Sequence, residues 1–438
     1  MTDLVEDPGS IRALAHAIRQ GTLTSTALVE RCLARIQAVD GAVMAWHSVD
    51  REGALDVAAT CDREAADGAW RGPLHGIPFA VKDIIDVLGV PTRAGSRSRS
   101  NAPPAPMDAT VVARLRAQGA IPLGKAHTTE FAYYEAVPPT RNPHDTSRTP
   151  GGSSAGSAAA VASGTVPFAL GSQTAGSVSR PAAFCGIGAF KPSTLSVVGT
   201  GVTPFAPSFD TIGVLAGSAA DAATVVAAMA PEVLGFGTPI AEPAAVEMVF
   251  LDDPLIDALA EVPVHAAMAA LRARFSEVGI TTRTAPSPVP LADLKTWHGT
   301  ISSYELGRVH AGLLADEALI SPRLAADIRA GKTITDDDYR AAQAALIAAR
   351  QTFWAAHPWP ALVVLPAAIG PAPEGDATGD PSFIAPMTAL GGPIASILTD
   401  PCSATNLPLG AMVCAPPAHD ALLAATLYAA DPPLGTAR

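Results

Sequence analysis

Apolar positions recur at helical spacing early in the chain and give way to short unbroken runs beyond residue 72. Ile11, Leu14 and Ile18 share one face of a helix predicted over residues 10–19, with Ser10 as its N-cap and Gly21 as its stop. Leu28, Cys32, Leu33 and Ile36 repeat the pattern over 25–39, and a third helix is predicted over 53–66. Residues 1–66 therefore read as a helical layer, not a separate domain. From Gly72 the character changes: Leu74 to Asp83 is strand-like and carries Lys82 near its end. A helix over 111–118, a buried strand over 120–123, a helix over 153–163 and a strand over 168–170 follow, with a further helix opening at Ser177. Beyond them come a helix over 219–229, a strand over 246–251, helices over 264–275, 303–319 and 337–356, a strand over 361–365, and a Pro/Gly-rich loop over 370–382. Helices alternating with short buried strands predict an α/β fold around a mostly parallel or mixed sheet.

Composition narrows the function classes. At 438 residues the chain allows several domains or one large α/β unit. Hydrophobic residues make up 48% and charged residues 16%, a globular balance with a large core. A net charge of −12 argues against nucleic-acid and anionic-membrane partners, which need clustered Lys and Arg. The five cysteines are scattered without a CxxC pair, so reduced thiols in a cytoplasmic protein are expected. No unbroken apolar run approaches the roughly 18 residues that suggest a membrane span, and the acidic N-terminus lacks an apolar signal core.

The stretch from Gly151 to Pro192 is rich in Gly, Ser and Ala, and only Arg180 and Lys191 carry charge in it. Its apolar runs, Ala158 to Ala162 and Val166 to Leu170, suit an ordered core segment better than a flexible linker. Lys82, Ser153 and Ser177 stand out as polar groups in apolar surroundings. Burial disfavours an ammonium, whose ordinary pKa is about 10.4, and so can make Lys82 a base. A serine hydroxyl needs such a base to act as a nucleophile. Backbone N–H groups at the turn before Ser177 can converge on a developing oxyanion. Two other motifs compete. Gly152-Ser153-Ser154-Ala155-Gly156 fits G-x-S-x-G, with Ser154 as an esterase-type nucleophile awaiting one of His298, His310, His357 or His419. Gly119 to Lys125 nearly fits a phosphate-binding loop, but Ala126 replaces the Ser/Thr that would hold magnesium.

Several ordered blocks resemble the amidase signature family: HGIPFAVKD, GKAHTTEFAYY, TRNPHDTSRTPGG, GGSSAGSAAAVASG, and GSQTAGSVSRPAAFCG with FKPS. The resemblance is close over 72–217, looser in the N-terminal helices, and returns in GGPIASILTD and NLPLGAMVCAP. It implies one α/β/α domain over 1–438 around a large mixed sheet, with 231–356 as a variable region about the substrate pocket. It also implies roles. Lys82 matches the base, Ser153 the bridging serine after a cis peptide at Gly152, and Ser177 the nucleophile. Thr174, Ala175, Gly176 and Ser177 match the backbone oxyanion hole. Ser154 supports the network, and Arg180, three residues beyond the nucleophile, either orients the loop or serves as a structural ion-pair partner, the structural role being favoured. The implied chemistry is acyl transfer to water, with no metal and no cofactor.

The chain departs from the family where Gln173 replaces a frequent Asp and where Ala155 and Ala175 replace Gly. Phe131, Tyr133 and Tyr134 lie in a block that approaches substrate in the family, and Trp297 and Tyr304 fall in the variable region. The partner expected is a small amide or carbamate, with esters also within the chemistry, acted on by a monomer or homodimer. The alternatives are a glutamine-hydrolysing subunit of a tRNA amidotransferase, an esterase using Ser154, and a silent binding protein.

Overall fold

A computed structural model of the chain describes residues 3–134, 137–197, 199–234 and 246–430. Part of the 231–356 region, residues 235–245, lies outside them. The described residues build an eleven-stranded mixed sheet. Its strands are β1 (Trp46–Val49), β2 (Pro78–Lys82), β3 (Ile121–Ala126), β4 (Phe168–Gln173), β5 (Gly188–Lys191), β6 (Thr211–Ala216), β7 (Glu247–Asp252), β8 (Thr281–Pro286), β9 (Ala361–Pro366), β10 (Ile394–Leu398) and β11 (Gly410–Cys414). They lie in the order β1-β3-β2-β4-β6-β5-β10-β11-β9-β7-β8. β2 runs parallel to both β3 and β4, while β4, β6, β5, β10, β11 and β9 are antiparallel from neighbour to neighbour. Every residue of β2, β4, β5, β6, β9 and β11 is buried, as strands covered on both faces require.

The pairing of β2 with β4 positions the site. Phe79 sits opposite Phe168 and their rings stack at 5.1 Å, which fixes the register that brings Lys82 beside the end of β4. The helix Ala155–Ala162 is buried at all eight positions and lies against this pair, with Ser157 Oγ donating to Leu170 O at 2.9 Å. Its small side chains permit that close approach.

Four expectations change. Ser10 precedes the first helix but makes no side-chain cap; the carboxylate of Asp221, 210 residues away, accepts from Ile11 N instead. Residues 1–66 are not wholly helical, because β1 pairs with β3 there; four residues are too short for an alternation signal to register. The helix expected over 303–319 begins earlier, at Leu291–Val309, and continues only as the 3-10 segment Ala311–Leu319. A helix at Pro322–Thr333, capped by Ser321, was not anticipated. The helix Asp336–Ala356 starts as expected, with a capping box between Thr335 and Asp338. No described helix is long and apolar enough to cross a membrane.

Candidate active site

Lys82 ends β2 with no exposed surface. Its Nζ donates to Ser153 Oγ at 2.7 Å and to Ser172 Oγ at 2.8 Å. Burial holds its pKa well below the ordinary lysine range, and the charge of Asp210 opposes that shift. Ser153 is also buried and follows a cis Gly152–Ser153 peptide. Its carbonyl accepts from Thr128 Oγ1 at 3.0 Å. At Gly152 a Cβ would lie 2.6 Å from Thr378 Cγ2, so only glycine fits. Ser177 is partly exposed. Lys82, Ser153 and Ser172 thus form a buried polar cluster, and Ser177 is the partly exposed serine whose carbonyl meets Ser154 N beside it.

The turn from Thr174 to Ser177 has its carbonyls held and its N–H groups free. Thr174 O accepts from His298 Nε2 at 2.8 Å, and Ala175 O accepts from Thr388 Oγ1 at 2.7 Å. Gly176 O accepts from Arg180 N at 3.0 Å, and Ser177 O from Ser154 N at 3.4 Å. Among the described residues no backbone or side-chain group accepts from the N–H of Ala175, Gly176 or Ser177. Three unpaired donors at one turn are groups that can serve an anion. The helix beyond starts at Ser179, two residues later than expected, because Gln173 Oε1 accepts from both Val178 N and Ser179 N. Gln173 Nε2 in turn donates to Thr388 Oγ1 at 3.0 Å. An aspartate there could not donate, so the amide is what leaves the Thr388 proton for Ala175 O.

Arg180 is almost wholly buried and, in place of the expected ion pair, donates from Nη2 to Gly152 O at 2.7 Å, so it holds the loop through a backbone carbonyl. Burial lowers its pKa to about 10. Ser154 is fully buried, and its Oγ accepts from Ser172 N at 3.3 Å, so it supports the turn. This position does not suit a nucleophile elbow, which exposes its serine. The histidines do not complete one either: His298 bonds Thr174 O and His310 bonds Pro204 O at 2.9 Å.

A cavity of about 330 Å³ opens beside the site. Ser172, Thr174 and Asp210 contribute to its lining, and Ile84, Val202 and Phe205 supply apolar wall. Among the expected substrate contacts, Phe131 and Tyr133 are core residues: Phe131 tilts over His310 at 5.1 Å and Tyr133 stacks on Phe205 at 5.7 Å. Tyr134 is 42% exposed and does not line this cavity. Most of the wall comes from residues between 195 and 212, inside the 72–217 block, with Ile84, Ala132, Ser172 and Thr174 completing it; among the described residues none comes from 231–356. Residues of the variable region brace the wall from behind, where Glu305 accepts from Ser208 N at 2.9 Å and from Tyr339 Oη at 2.7 Å. Trp297 packs against the core, and Tyr304 stacks on Tyr339 at 4.0 Å.

Asp210 joins the parts. It accepts from Thr174 Oγ1 at 2.5 Å, from Phe205 N at 2.7 Å and from Ala206 N at 3.1 Å. Burial raises its pKa, against those hydrogen bonds. Ser172, Asp210 and Thr388 were not singled out by the sequence, and His298 was raised only as a possible partner of Ser154. The one signal was polarity at otherwise apolar positions, which Ser172 and Asp210 show within the matching blocks.

Comparison with known proteins places the fold among amidases. An amidase family model matches residues 27–234. The crystal structure of an amidase superposes with a TM-score of 0.88 at 29% identity, covering 98% of this chain and 100% of that one. Residues 27–234 belong to the amidase signature family. That family hydrolyses amide C–N bonds. Peptide amidase from Stenotrophomonas maltophilia is another amidase of this shape, with a TM-score of 0.79, 27% identity and 96% of each chain covered. Among curated proteins, a glutamyl-tRNA(Gln) amidotransferase subunit of Anaeromyxobacter sp. (strain K) is 46% identical over 225 residues. That match covers 50% of this chain and 46% of the relative, so the chain spans about half the length of the curated relatives it matches.

Proposed function

We propose that the protein is a serine hydrolase that cleaves the C–N bond of small amides through an acyl-enzyme on Ser177, with Ser153 and Lys82 as its proton relay. The observation that carries this reading is the 2.7 Å contact between a fully buried Lys82 Nζ and Ser153 Oγ, beside a turn with three free N–H groups. Ser177 Oγ attacks the carbonyl carbon. Its proton passes to Ser153 Oγ as Ser153 gives its own to neutral Lys82. The oxyanion meets the N–H groups of Ala175, Gly176 and Ser177, each such donor typically contributing about 2.7–4 kcal/mol in the transition state. When the C–N bond breaks, Ser153 protonates the leaving nitrogen and regains a proton from Lys82. Water then attacks the acyl ester, the relay takes its proton, and the carboxylic acid leaves with Ser177 restored.

The largely apolar cavity supports aryl or alkyl amides, and carbamates or esters of similar shape fit the same acyl chemistry. A panel of anilides, carbamates and esters tests the reading, with hydrolysis expected for anilides and abolished in Ser177→Ala. No hydrolysis of any member by the wild-type protein would refute it. A second reading, glutamine hydrolysis within a tRNA amidotransferase, is favoured by the 46% identity to that amidotransferase chain over half of this one. Against it, the cavity lining is mostly apolar. Ammonia release from free glutamine at a rate exceeding anilide hydrolysis would favour that second reading.

A further inference from the structure

The donors of the oxyanion turn are free because its carbonyls are anchored, and two of those anchors lie outside the 72–217 block. The Thr174–Ala175 peptide is trans, since the cis bonds among the described residues are Gly152–Ser153 and Trp359–Pro360. In a trans peptide the C=O and N–H point in opposite directions. Whatever holds Thr174 O therefore aims Ala175 N–H the other way. That holder is His298, on the helix Leu291–Val309, whose Nε2 lies 2.8 Å from Thr174 O. A carbonyl only accepts, so Nε2 is the protonated nitrogen. Burial lowers the His298 pKa to about 4, and its ring stacks on Phe209 at 4.4 Å with a 30° interplanar angle. Phe209 belongs to the segment that carries the cavity wall and Asp210. Asp210 in turn holds Thr174 Oγ1. Thr174 is thus fixed at both its carbonyl and its hydroxyl.

We propose that His298 is a positioning residue for the oxyanion hole: by holding Thr174 O, it aims the N–H of Ala175 at the developing oxyanion. It touches neither the substrate nor the relay. The inference rests on the acyl-enzyme reading above. It gives a helix of the 231–356 region a part in catalysis although no described residue of that region lines the cavity.

The test is steady-state hydrolysis of an anilide by three variants. His298→Phe keeps the ring on Phe209 and removes the donor. His298→Gln carries an N–H that reaches the Nε2 position, whereas His298→Asn falls short of it. Expected is a kcat loss of about tenfold or more for Phe and Asn, with KM within about twofold, and recovery in Gln to within a few-fold of wild type. A trifluoromethyl ketone, which forms a tetrahedral adduct on the serine, should weaken in step with kcat/KM, while inhibition by the carboxylic acid product stays unchanged. If Phe does not fold, the Gln and Asn pair decides alone. Equal kcat in Gln and Asn, or wild-type kcat in Phe, overturns the proposal. Loss of KM and kcat together with no recovery in Gln also overturns it, by marking a packing role. Wild-type labelling by a fluorophosphonate at Ser177 is the separate control: its absence would refute the acyl-enzyme reading itself, whatever the His298 variants do.

Discussion

Ser172→Ala offers a sharp test of Lys82 as the base. Ser172 Oγ accepts from Lys82 Nζ at 2.8 Å, and the other hydroxyl on that amine is Ser153, at 2.7 Å. An ammonium has three protons to donate and a neutral amine two, so a hydroxyl acceptor favours the charged form. Hydrogen bonds to charged groups contribute about 1.5–3 kcal/mol and neutral ones about 1 kcal/mol, a difference of roughly 1 kcal/mol in this buried setting. At 1.36 kcal/mol per pKa unit, removing Ser172 Oγ should lower the Lys82 pKa further by about half to one unit. The sign for activity follows. The working form is the neutral amine, so activity rises with pH through the lysine pKa and falls as the amine is protonated. Ser172→Ala should shift the acidic limb of the kcat/KM profile to lower pH by about half to one unit. The assay is kcat/KM for an anilide across neutral to alkaline pH, wild type against variant. A limb that stays in place, or moves to higher pH, would refute the assignment of that limb to Lys82.

Other outcomes follow from the same contacts. Gln173→Glu removes the donor to Thr388 Oγ1 and draws its proton away from Ala175 O, so kcat should fall about tenfold or more while the fold persists; steady-state kinetics with circular dichroism checks this. Gly156→Ala forces a Cβ into the backbone of Ala45 and His127, and should cost about 1–3 kcal/mol of stability in a denaturant titration. Phe205→Ala opens the cavity wall, so KM should rise for a bulky anilide and change little for a small acetyl amide. Cys185 is fully buried and burial pushes its thiol pKa far up, so it should resist N-ethylmaleimide in the native protein and react on unfolding.

Much of the site was legible because its parts are local. Gly152-Ser153 and Gly176-Ser177 are turns whose residue types announce themselves, and Lys82 is a charge ending an apolar run. The α/β class followed from alternating elements, with β2, β3, β4, β7 and β9 anticipated, but β1, β5, β6 and β8 were not, since strands of four to six residues carry too little pattern. What stayed hidden was long-range. Asp221 caps a helix 210 residues away, and His298 and Thr388 anchor the oxyanion turn across 124 and 213 residues. No local pattern encodes such contacts; they exist only once the sheet order brings distant strands and helices together. The substrate cavity was sought in the variable region for the same reason. Most of its described wall is in fact the loop before β6, where Pro204, Phe205 and Pro207 read as an ordinary connection until the fold sets them beside Ser172 and Thr174.

The most direct measurement of the account is covalent. Treat the protein with a fluorophosphonate, digest it, and map the modified residue by mass spectrometry. The account predicts phosphonylation at Ser177, in a protein whose labelling is lost in Lys82→Ala and slowed in Ser153→Ala. Labelling at Ser154, or labelling at Ser177 that persists at the wild-type rate without Lys82, would contradict it.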